Sequence, residues 1–291
     1  MPRLAISFSG GRTSAVMTKM LWDRYSTNPF YDVSICFANT GQEHPATLDF
    51  VHACEFEFGW PVVWLEAVVT QGKRVGIRHK KVDYFSADRM GTPFREYIEK
   101  YGIPNAAYKQ CTSRLKEEVM DSYRHRELGW KEGSYDTAIG IRADELSRVS
   151  SKFEEKRFVY PLLDKGWGKL DVQAEINKWP FDLQLPSDAY GNCVWCWKKS
   201  KRKLQTVAKR NPEWFSFPAA MERLHGMGAN KKRPDIKRDV MFRGFQSAEE
   251  IVREAQTADF VPYSDSEWWP FDDELDVGGA CGESCEIGAD E

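Results

Sequence analysis

The sequence predicts an α/β protein with a Rossmann-like, doubly wound parallel sheet and a C-terminal helical extension. Three observations predict it: β-rich apolar segments alternate with helical ones, each early strand ends in a polar turn, and 291 residues with 42% apolar content can bury one large core and a smaller one. We expect residues 1–210 to form the main domain and residues 211–291 a helical extension with an acidic tail.

The alternation is clearest before residue 70. RLAISF at 3–8 is short, apolar and β-rich, and the apolar positions between Val16 and Leu21 follow it at helical spacing. YDVSICFANTG at 31–41 is a second strand and turn, and the helix after it has Pro45 in its first turn and Gly59 past its end. PVVWLEAV at 61–68 is a third strand. This order favours a parallel sheet.

The rest of the chain is less regular. Residues 71–107 carry many basic and aromatic side chains, and we expect a loop or lid there. CTSRLKEEVMDSYRHREL is a helix candidate, YDTAIGIR a strand ending in a turn, and LDVQAEINKW a helix that follows FVYPLLD. A lysine-rich helix after GNCVWC and a helical region at 212–257 complete the prediction.

Composition excludes some functional classes. No apolar stretch reaches the roughly 18 residues of a membrane-spanning helix, and the N-terminus lacks the pattern of a secretion signal. We therefore expect a soluble, cytoplasmic protein without a membrane partner, and a homo-oligomer is compatible with the sequence. The seven cysteines then favour metal ligation or thiol chemistry over disulfides.

ISFSGGRTSAVM at 6–17 is the most informative stretch. Its hydroxyl side chains and two glycines lie where the first strand leads into the first helix. Glycines let a ligand approach the backbone closely, and N–H groups at a helix start favour an anion such as phosphate. The spacing is neither G-x-x-x-x-G-K-[ST] nor G-x-G-x-x-G. A glycine turn with a Ser or Thr helix cap is the purely structural alternative.

FSGGRTSA resembles the PP-loop, S-G-G-x-x-S, of the ATP pyrophosphatases. ANTGQEHPATLDFV, QCTSRLK, GIRADELSR, VYPLLD and GNCVWC follow in order and narrow the resemblance to the phosphoadenosine phosphosulfate (PAPS) reductase-like branch, over about residues 3–210. The resemblance implies a sheet of the adenine nucleotide alpha hydrolase type. It also implies an adenine nucleotide ligand: ATP as cofactor, or PAPS or adenylylsulfate (APS) as substrate.

The resemblance also implies roles for individual residues. The phosphates would be held by Ser7, Ser9, Gly10, Gly11, Arg12, Thr13 and Ser14. Asn39, Thr40 and Gly41 would flank the adenosine, and Gly140, Ile141 and Arg142 would close over it. Arg142 and Arg148 suit phosphate or sulfate, with an ion pair to Asp144 or Glu145 as the alternative. Lys116 would reach the same anion or lie on a solvated helix face.

The loop retains the full S-G-G-x-x-S pattern. Reductases that take an activated sulfonucleotide need not cut ATP, and many of them have a degraded loop. The intact pattern thus favours an enzyme that cleaves ATP to AMP and pyrophosphate and adenylates an acceptor. Arg12-Thr13 stands where the family commonly has Lys-Asp, so a carboxylate that would bind a metal such as Mg²⁺ is missing.

Three cysteines suggest a metal centre. Cys193 and Cys196 form a C-x-x-C pair, and Cys111 precedes them in the chain. The arrangement is similar to the 4Fe-4S site of APS reductases, except that Gln110 leaves one ligand missing; sulfur-transfer enzymes of the PP-loop group hold a cluster by three cysteines. A fourth ligand from Cys281 or Cys285, a structural zinc, and a redox thiol pair without metal are the alternatives. We expect Cys36 and Cys54 to be ordinary buried residues.

The tail GGACGESCEIGADE suggests a second mechanism. PAPS reductases end in a mobile segment whose cysteine attacks the sulfur of the sulfonucleotide, and Cys281 or Cys285 would take that role. The thiosulfonate would then be resolved by a thiol carrier such as thioredoxin. The surrounding carboxylates oppose thiolate formation unless the tail docks onto the basic runs at 198–203 and 231–238.

The favoured hypothesis is an ATP-dependent sulfurtransferase that delivers sulfur through an iron-sulfur cluster, with Arg142 and Lys116 at the reacting phosphates. Its acceptor would be tRNA or DNA, bound by the basic runs and by nearby Trp195, Trp197 and Trp214; a solvated helix face is the alternative reading of those lysines. A PAPS or APS reductase is the second hypothesis. A non-catalytic nucleotide- or nucleic-acid-binding module is the third.

Overall fold

The computed structural model describes residues 1–72, 75–230 and 233–265. Its centre is a six-stranded sheet with the order β4-β3-β2-β1-β5-β6. All neighbouring strands are parallel except β3 and β4. The strands are β1 (Arg3–Ser7), β2 (Asp32–Asn39), β3 (Val62–Val69), β4 (Ile77–Val82), β5 (Asp136–Ala138) and β6 (Phe158–Val159).

Helices cover both faces of this sheet, which confirms the doubly wound prediction. One face packs against α1 (Arg12–Tyr25), α2 (Pro45–Phe58), α5 (Pro161–Asp164) and α6 (Lys169–Ile176). The other face packs against α3 (Thr92–Tyr101), α4 (Glu118–Arg126), α7 (Lys201–Arg210), α8 (Ser216–His225) and α9 (Ala248–Thr257). Short 3-10 helices span Ala143–Arg148, Asp188–Tyr190 and Pro212–Phe215, and a π-helical turn, Ser113–Glu117, leads into α4.

Local sequence explains the early elements. The central strand β2 is buried on both faces from Ser34 to Asn39, which accounts for its unbroken apolar character. The helix α2 has Pro45 at its first position and ends at Gly59, whose φ of 62° is the left-handed conformation that glycine tolerates best.

The prediction of a loop or lid over residues 71–107 is wrong. This stretch contains β4, an antiparallel edge strand, and α3. The strand has mostly exposed basic side chains, so it lacks the apolar run of a central strand. The helix begins after Gly91, has Pro93 in its first turn and buries Phe94, Tyr97 and Ile98.

The C-terminal region is mainly helical but includes strands that the sequence did not indicate. Met227–Asn230 and Arg233–Asp239 form a two-stranded antiparallel sheet between α8 and α9. Both helices bury side chains in the core cluster that also contains residues of α3 and α7. The domain boundary at residue 210 stays a prediction. Across the described ranges, no helix combines the length and apolar character needed to span a bilayer.

Candidate nucleotide-binding site

The topology places one edge of the sheet at a switch point. From β1 the chain moves outward through β2 to β4, and it then returns to β5 on the opposite side of β1. Open α/β sheets bind ligands at the carboxyl ends of the strands where the order reverses. Two predicted segments lie there: residues 7–14 follow β1, and residues 140–142 follow β5.

The loop after β1 is held by its own hydroxyl groups. The Oγ atoms of Ser9 and Ser14 are 2.7 Å apart, the Ser9 N–H donates to Ser14 Oγ at 3.2 Å, and Ser14 Oγ donates to the Gly11 carbonyl at 3.0 Å. The residue before the first turn of α1 is Gly11, which has no side chain to cap the helix. The first N–H groups of α1 therefore point beyond the helix start, and the predicted Ser or Thr cap is not formed.

Gly10 and Thr47 are in close contact inside this loop. Gly10 has φ of 82°, and a Cβ there would lie 2.6 Å from Thr47 Cγ2. Thr47 is buried, and its hydroxyl has no hydrogen-bond partner among the described residues. The methyl group is the part of Thr47 that faces Gly10, so a residue larger than glycine would not fit in the loop without moving α2. The sequence analysis missed Thr47, although its position in the first turn of α2 was a usable signal.

The loop after β5 closes onto the start of α1. A Cβ at Gly140 would lie 2.9 Å from Ser14 Cα, so a larger residue would push the two loops apart. Arg142 donates through Nη1 to Thr13 Oγ1 at 3.0 Å and through Nε and Nη2 to the Asp144 carboxylate at 3.0 and 3.1 Å. Burial acts to raise the pKa of Asp144, but Arg142 outweighs burial and lowers it. A fixed guanidinium thus lies at the start of α1.

Two other predicted arginines are engaged elsewhere. Arg12 forms a two-pronged ion pair with Asp182, with distances of 2.7 and 3.0 Å, and donates to the Leu183 carbonyl at 2.6 Å. Arg148 is buried in an ion pair with Glu145, which agrees with the structural alternative for this residue. Arg142 also has the ion pairs of its structural alternative, with Asp144 and with Glu145, while its side chain contacts the Thr13 hydroxyl.

The predicted adenosine-flanking residues lie at the carboxyl end of β2, beside the loop. Asn39 Nδ2 donates to Glu66 Oε1 and to the Asp88 carbonyl, each at 2.8 Å, and Asn39 Oδ1 accepts from the Gly41 N–H at 3.1 Å. Gly41 has φ of 76°, and a Cβ there would collide with Asp88. These contacts fix the shape of the turn.

Lys116 lies in a buried charge cluster next to this turn. Its Nζ is 3.8 Å from Glu43 Oε1, and both side chains are largely buried. Glu43 also accepts from the Thr40 hydroxyl at 2.8 and 2.9 Å, and that hydroxyl is 3.7 Å from Cys193 Sγ. The solvated-face alternative for Lys116 is therefore wrong. The sequence analysis also missed Glu43, since nothing local indicates its buried partner.

The C-x-x-C segment is held by its backbone. The Cys196 N–H donates to the Cys193 carbonyl at 2.9 Å, and the fully buried Lys199 donates to the carbonyls of Cys193 and Val194 at 2.9 and 3.0 Å. Burial raises the pKa of the Cys193 thiol; Glu43 and Cys196 add to this effect, and Lys116 opposes it. The segment is rigid and mostly shielded from water.

The described residues do not form a complete ligand set for the predicted metal centre. No group of three or more His, Cys, Asp or Glu side chains there is arranged to hold a metal ion, and the five cysteines form no disulfide. Cys281 and Cys285, the predicted fourth ligand included, lie outside the described residues. Cys36 and Cys54 are buried, as expected, and burial raises the pKa of both thiols. The cluster of Cys111, Cys193 and Cys196 stays a prediction.

The basic run at 198–203 is not a continuous solvated face. Lys199 and Lys203 are buried, and Lys201 pairs with Glu254 at 2.8 Å. Trp195 and Trp197 are each 3% exposed, so neither ring offers its face to a base in solution. The side chains of the second run, 231–238, lie outside the described residues. The nucleic-acid acceptor therefore has no support from the described surface around this run.

Fold and site together define an α/β protein with a glycine- and hydroxyl-rich loop at the switch point of a doubly wound sheet. Over 289 residues the chain is 32% identical to the "Uncharacterized nin region protein ORF290" of Escherichia phage lambda, which covers 97% of this chain and 94% of that protein. The chain therefore belongs to the same family as this phage protein. No protein-family profile matches the chain.

Two further similarities are more distant. The chain is 28% identical over 173 residues to "Uncharacterized protein MJ0973" of Methanocaldococcus jannaschii, which covers 58% of this chain and 34% of that protein. A crystal structure of PAPS reductase from Candida auris, in a phosphate complex, is 17% identical and has a TM-score of 0.36, covering 61% of this chain and 73% of that one.

Proposed function

We propose that the protein is an adenine-nucleotide-binding enzyme whose phosphate site is the loop of residues 7–14 together with residues 140–142. The observation that carries the proposal is the convergence of four features at the switch point: Gly10, the start of α1, Gly140 and the Arg142 guanidinium. Backbone N–H groups, hydroxyl groups and a guanidinium at one edge of the sheet are the donors that phosphate oxygens require.

The donors supply both charge and shape. The start of α1 contributes the partial positive charge of the helix dipole, and Arg142 adds a full charge that Asp144 fixes in orientation. The adenosine would extend toward Asn39 and Gly41, because β1 and β2 are neighbours and end at the same edge.

The reaction we propose is cleavage of ATP between its α- and β-phosphates. An acceptor oxygen attacks the α-phosphorus, the bond to the bridging oxygen breaks, and pyrophosphate leaves with the bonding electrons. Arg142 would stabilise the negative charge that develops on the phosphate oxygens. The complete S-G-G-x-x-S pattern supports this reaction, and Mg²⁺ stays the predicted metal for the phosphates.

Sulfur transfer is the finer form of the proposal, with tRNA or DNA as the predicted acceptor. Its support comes from the order of the sequence motifs. Iron and sulfide analysis of protein purified without oxygen, with C193A as the comparison, tests it. Iron and sulfide that are lost in the variant would support the cluster; zinc or no metal would remove sulfur delivery from the proposal.

The experiment that tests the main proposal is ATP titration by calorimetry together with a pyrophosphate-release assay. We expect wild-type protein to bind ATP and Arg142→Met to bind it at least tenfold more weakly, since a charge-assisted hydrogen bond contributes about 1.5–3 kcal/mol. Arg24→Met is the matched control, because Arg24 is exposed in the last turn of α1, at the end of the helix that is far from the phosphate loop. Equal ATP affinity in both variants would contradict the site; binding without pyrophosphate release would leave a nucleotide-binding module.

One observation favours the thiol-dependent reductase as a second candidate. Asp265, the last described residue before the tail, accepts from the Asp188 N–H at 2.9 Å, and Lys169 donates to the Asp188 carboxylate at 3.0 Å. Burial and the nearby Arg142 guanidinium act to lower the pKa of Lys169, but Asp188 and Asp265 outweigh them and raise it. Lys169 therefore lies near Arg142. The sequence of the tail thus continues from a point beside the phosphate site.

The tail is long enough for this chemistry. From Asp265 the chain to Cys281 can extend over about 50 Å, which exceeds the span of the site edge. In this candidate a tail thiolate attacks the sulfur of PAPS or APS and releases the nucleotide, and a thiol carrier then displaces sulfite. Sulfite release that vanishes in C281S or C285S would establish it. Sulfite release that survives in both single variants and in the double variant would exclude a tail nucleophile.

A further inference from the structure

A cavity of about 260 Å³ opens beside the proposed nucleotide site. It lies between the turn after β2, the loop that precedes α3, and the short helix Pro212–Phe215 with the start of α8. It shares Asn39 and Gly41 with the edge where the adenosine is expected, and none of the phosphate-loop residues lines it. Drug-sized ligands occupy pockets of roughly 300–1,000 Å³, so this cavity suits a single small group.

The cavity has a negatively charged lining. Among the described residues that line it, three are carboxylates, namely Glu43, Asp88 and Glu213, and one is a guanidinium, Arg89. Glu43 is offset by Lys116, which lies behind the wall. The Arg89 guanidinium donates to the carbonyls of Ala87 and Tyr84, so it is committed to its own loop. Three carboxylates against the Arg89 and Lys116 cations leave the lining with one net negative charge.

Asp88 is held as a fixed anion. Its Oδ1 accepts from the backbone N–H groups of Met90, Gly91 and Thr92 at 2.9, 2.6 and 3.0 Å. Burial acts to raise the pKa of Asp88, but the hydrogen bonds from Thr92, Met90 and Gly91 outweigh burial and lower it. The carboxylate is oriented before any ligand arrives, and it keeps its charge at neutral pH.

The remaining wall is apolar and aromatic. Trp214 and Phe217 contribute ring surface, and Pro45, Leu48 and Val194 contribute aliphatic surface. His44 packs at 5.1 Å against the Trp214 ring. Burial and then Lys199 lower the pKa of His44, so this imidazole adds no positive charge at neutral pH. Aromatic rings attract cations, and aliphatic walls accommodate the methylene groups of an alkyl chain.

We propose that this cavity binds the protonated end of an alkylamine, and that this ammonium group belongs to a small-molecule acceptor of the adenylation reaction, in place of the tRNA or DNA that the sequence predicts. Anionic oxygens beside aromatic rings recognise an ammonium group by charge and by its N–H donors, and the small volume limits the ligand to one short chain. The assignment to the acceptor rests on the proposed function, whereas ammonium binding itself rests on the cavity alone.

The test compares n-butylammonium with butan-1-ol by calorimetry at pH 7.5 and constant ionic strength. The two probes have similar size and shape, so the difference isolates the charge. We expect n-butylammonium to bind at least about tenfold more tightly than butan-1-ol, which corresponds to roughly 1.4 kcal/mol. Equal affinities, or no saturation with n-butylammonium in the millimolar range, would overturn the proposal.

Two variants locate the binding. Glu213→Gln keeps the shape of an exposed side chain and should weaken n-butylammonium binding about threefold. Trp214→Leu should weaken it about fivefold through loss of the ring. Glu249→Gln is the control, since Glu249 is exposed and pairs with Arg223 outside the cavity lining. Equal effects of Glu213→Gln and Glu249→Gln would place the ammonium elsewhere and contradict the proposal.

An ATP titration on the same preparations separates this proposal from the proposed function. Ammonium binding with no ATP binding in wild-type protein would refute the nucleotide site and keep the cavity assignment. ATP binding without a preference for n-butylammonium over butan-1-ol would refute the cavity assignment and keep the nucleotide site. Circular dichroism spectra of both variants should match that of the wild type, which verifies that the change in affinity is local.

Discussion

The phosphate loop follows β1, and the C-x-x-C region contacts the turn that follows the neighbouring strand β2. The two regions are built differently. The loop consists of glycines, hydroxyl groups and backbone N–H groups close together in sequence, and the Arg142 guanidinium contacts it at the Thr13 hydroxyl. The C-x-x-C region is surrounded by buried charged side chains, and Glu43, Lys116 and Lys199 lie around Cys193. Glu43 and Lys116 come from segments that are distant in sequence.

Because of this difference in construction, we expect substitutions in the two regions to affect different properties of the protein. Substitutions in the loop should change what binds, because its groups face the strand edge. Substitutions around Cys193 should change the folding free energy, because Lys116 and Glu43 compensate each other and Lys199 satisfies two buried carbonyl groups. The predictions below test this division, in order of decreasing expected effect.

The largest effect is expected for Gly140→Val. The added side chain would meet Ser14 Cα at less than 3 Å and separate the two loops, so ATP affinity should fall at least about 1,000-fold, equivalent to roughly 4.1 kcal/mol. Calorimetric titration with ATP measures this. Gly76→Ala is the control, since no atom lies within 4 Å of a Cβ there. Retained ATP affinity in Gly140→Val would show that the nucleotide does not occupy this loop.

Lys116→Met should destabilise the fold more than it affects binding. It leaves the Glu43 carboxylate buried without its cation, a change that costs about 3 kcal/mol in comparable sites. Urea unfolding measures the loss, and the double variant with Glu43→Gln should recover part of it. The exposed pair Lys19 and Asp23 provides the control through Lys19→Met. A stability loss no larger than that of Lys19→Met would mean that the charge cluster is not a stabilising unit.

His44 gives a pH-dependent prediction. Burial is the main cause of its lowered pKa, with Lys199 second and Asp49 opposing them. The unfolded chain therefore binds a proton more readily, so this contribution to stability is complete above about pH 6.5 and is lost as the pH falls toward the folded-state pKa. His44→Asn retains a side-chain oxygen that can cap α2 in place of His44 Nδ1, which accepts from the Ala46 N–H.

The measurement for His44 is the difference in unfolding free energy between wild type and His44→Asn from pH 8 to pH 5. The advantage of the wild type should decrease as the pH falls through 6.5. His125→Asn, at an exposed position in α4, is the control. A difference that stays constant, or that grows toward pH 5, would contradict a histidine that is neutral in the folded state.

The smallest effect is expected for Arg12→Met. Arg12 lies in the loop by sequence, but its guanidinium pairs with Asp182. The Arg12 and Asp182 side chains are 18% and 34% exposed, and such a partly exposed ion pair contributes about 1 kcal/mol, so stability should decrease slightly and ATP affinity should stay within about twofold. Asp182→Asn should produce the same small loss. A large decrease in ATP affinity for Arg12→Met alone would show that Arg12 turns to the phosphates when the nucleotide binds.

The sequence predicted the parts of the molecule that local patterns determine. β1 and the loop after it follow from a short apolar run and two glycines, and the sheet follows from the order of strands and helices. The edge strand β4 was missed because its basic side chains face solvent, and the strand Met227–Asn230 because no alternation indicates it.

Long-range pairs were beyond the reach of local patterns. Nothing in the sequence joins Glu43 to Lys116, Arg12 to Asp182, or Thr47 to Gly10, because each pair depends on how separate elements pack. The lysine run at 198–203 illustrates the same limit: its composition indicates a solvated face, yet Lys199 is buried on two carbonyl groups.

The most direct test of the central claim is a crystal structure with a non-hydrolysable ATP analogue. We predict phosphate oxygens within hydrogen-bond distance of the N–H groups at the start of α1 and of the Arg142 guanidinium. Phosphates bound at any other edge of the sheet, with the loop of residues 7–14 and Arg142 making no contact with them, would contradict the account.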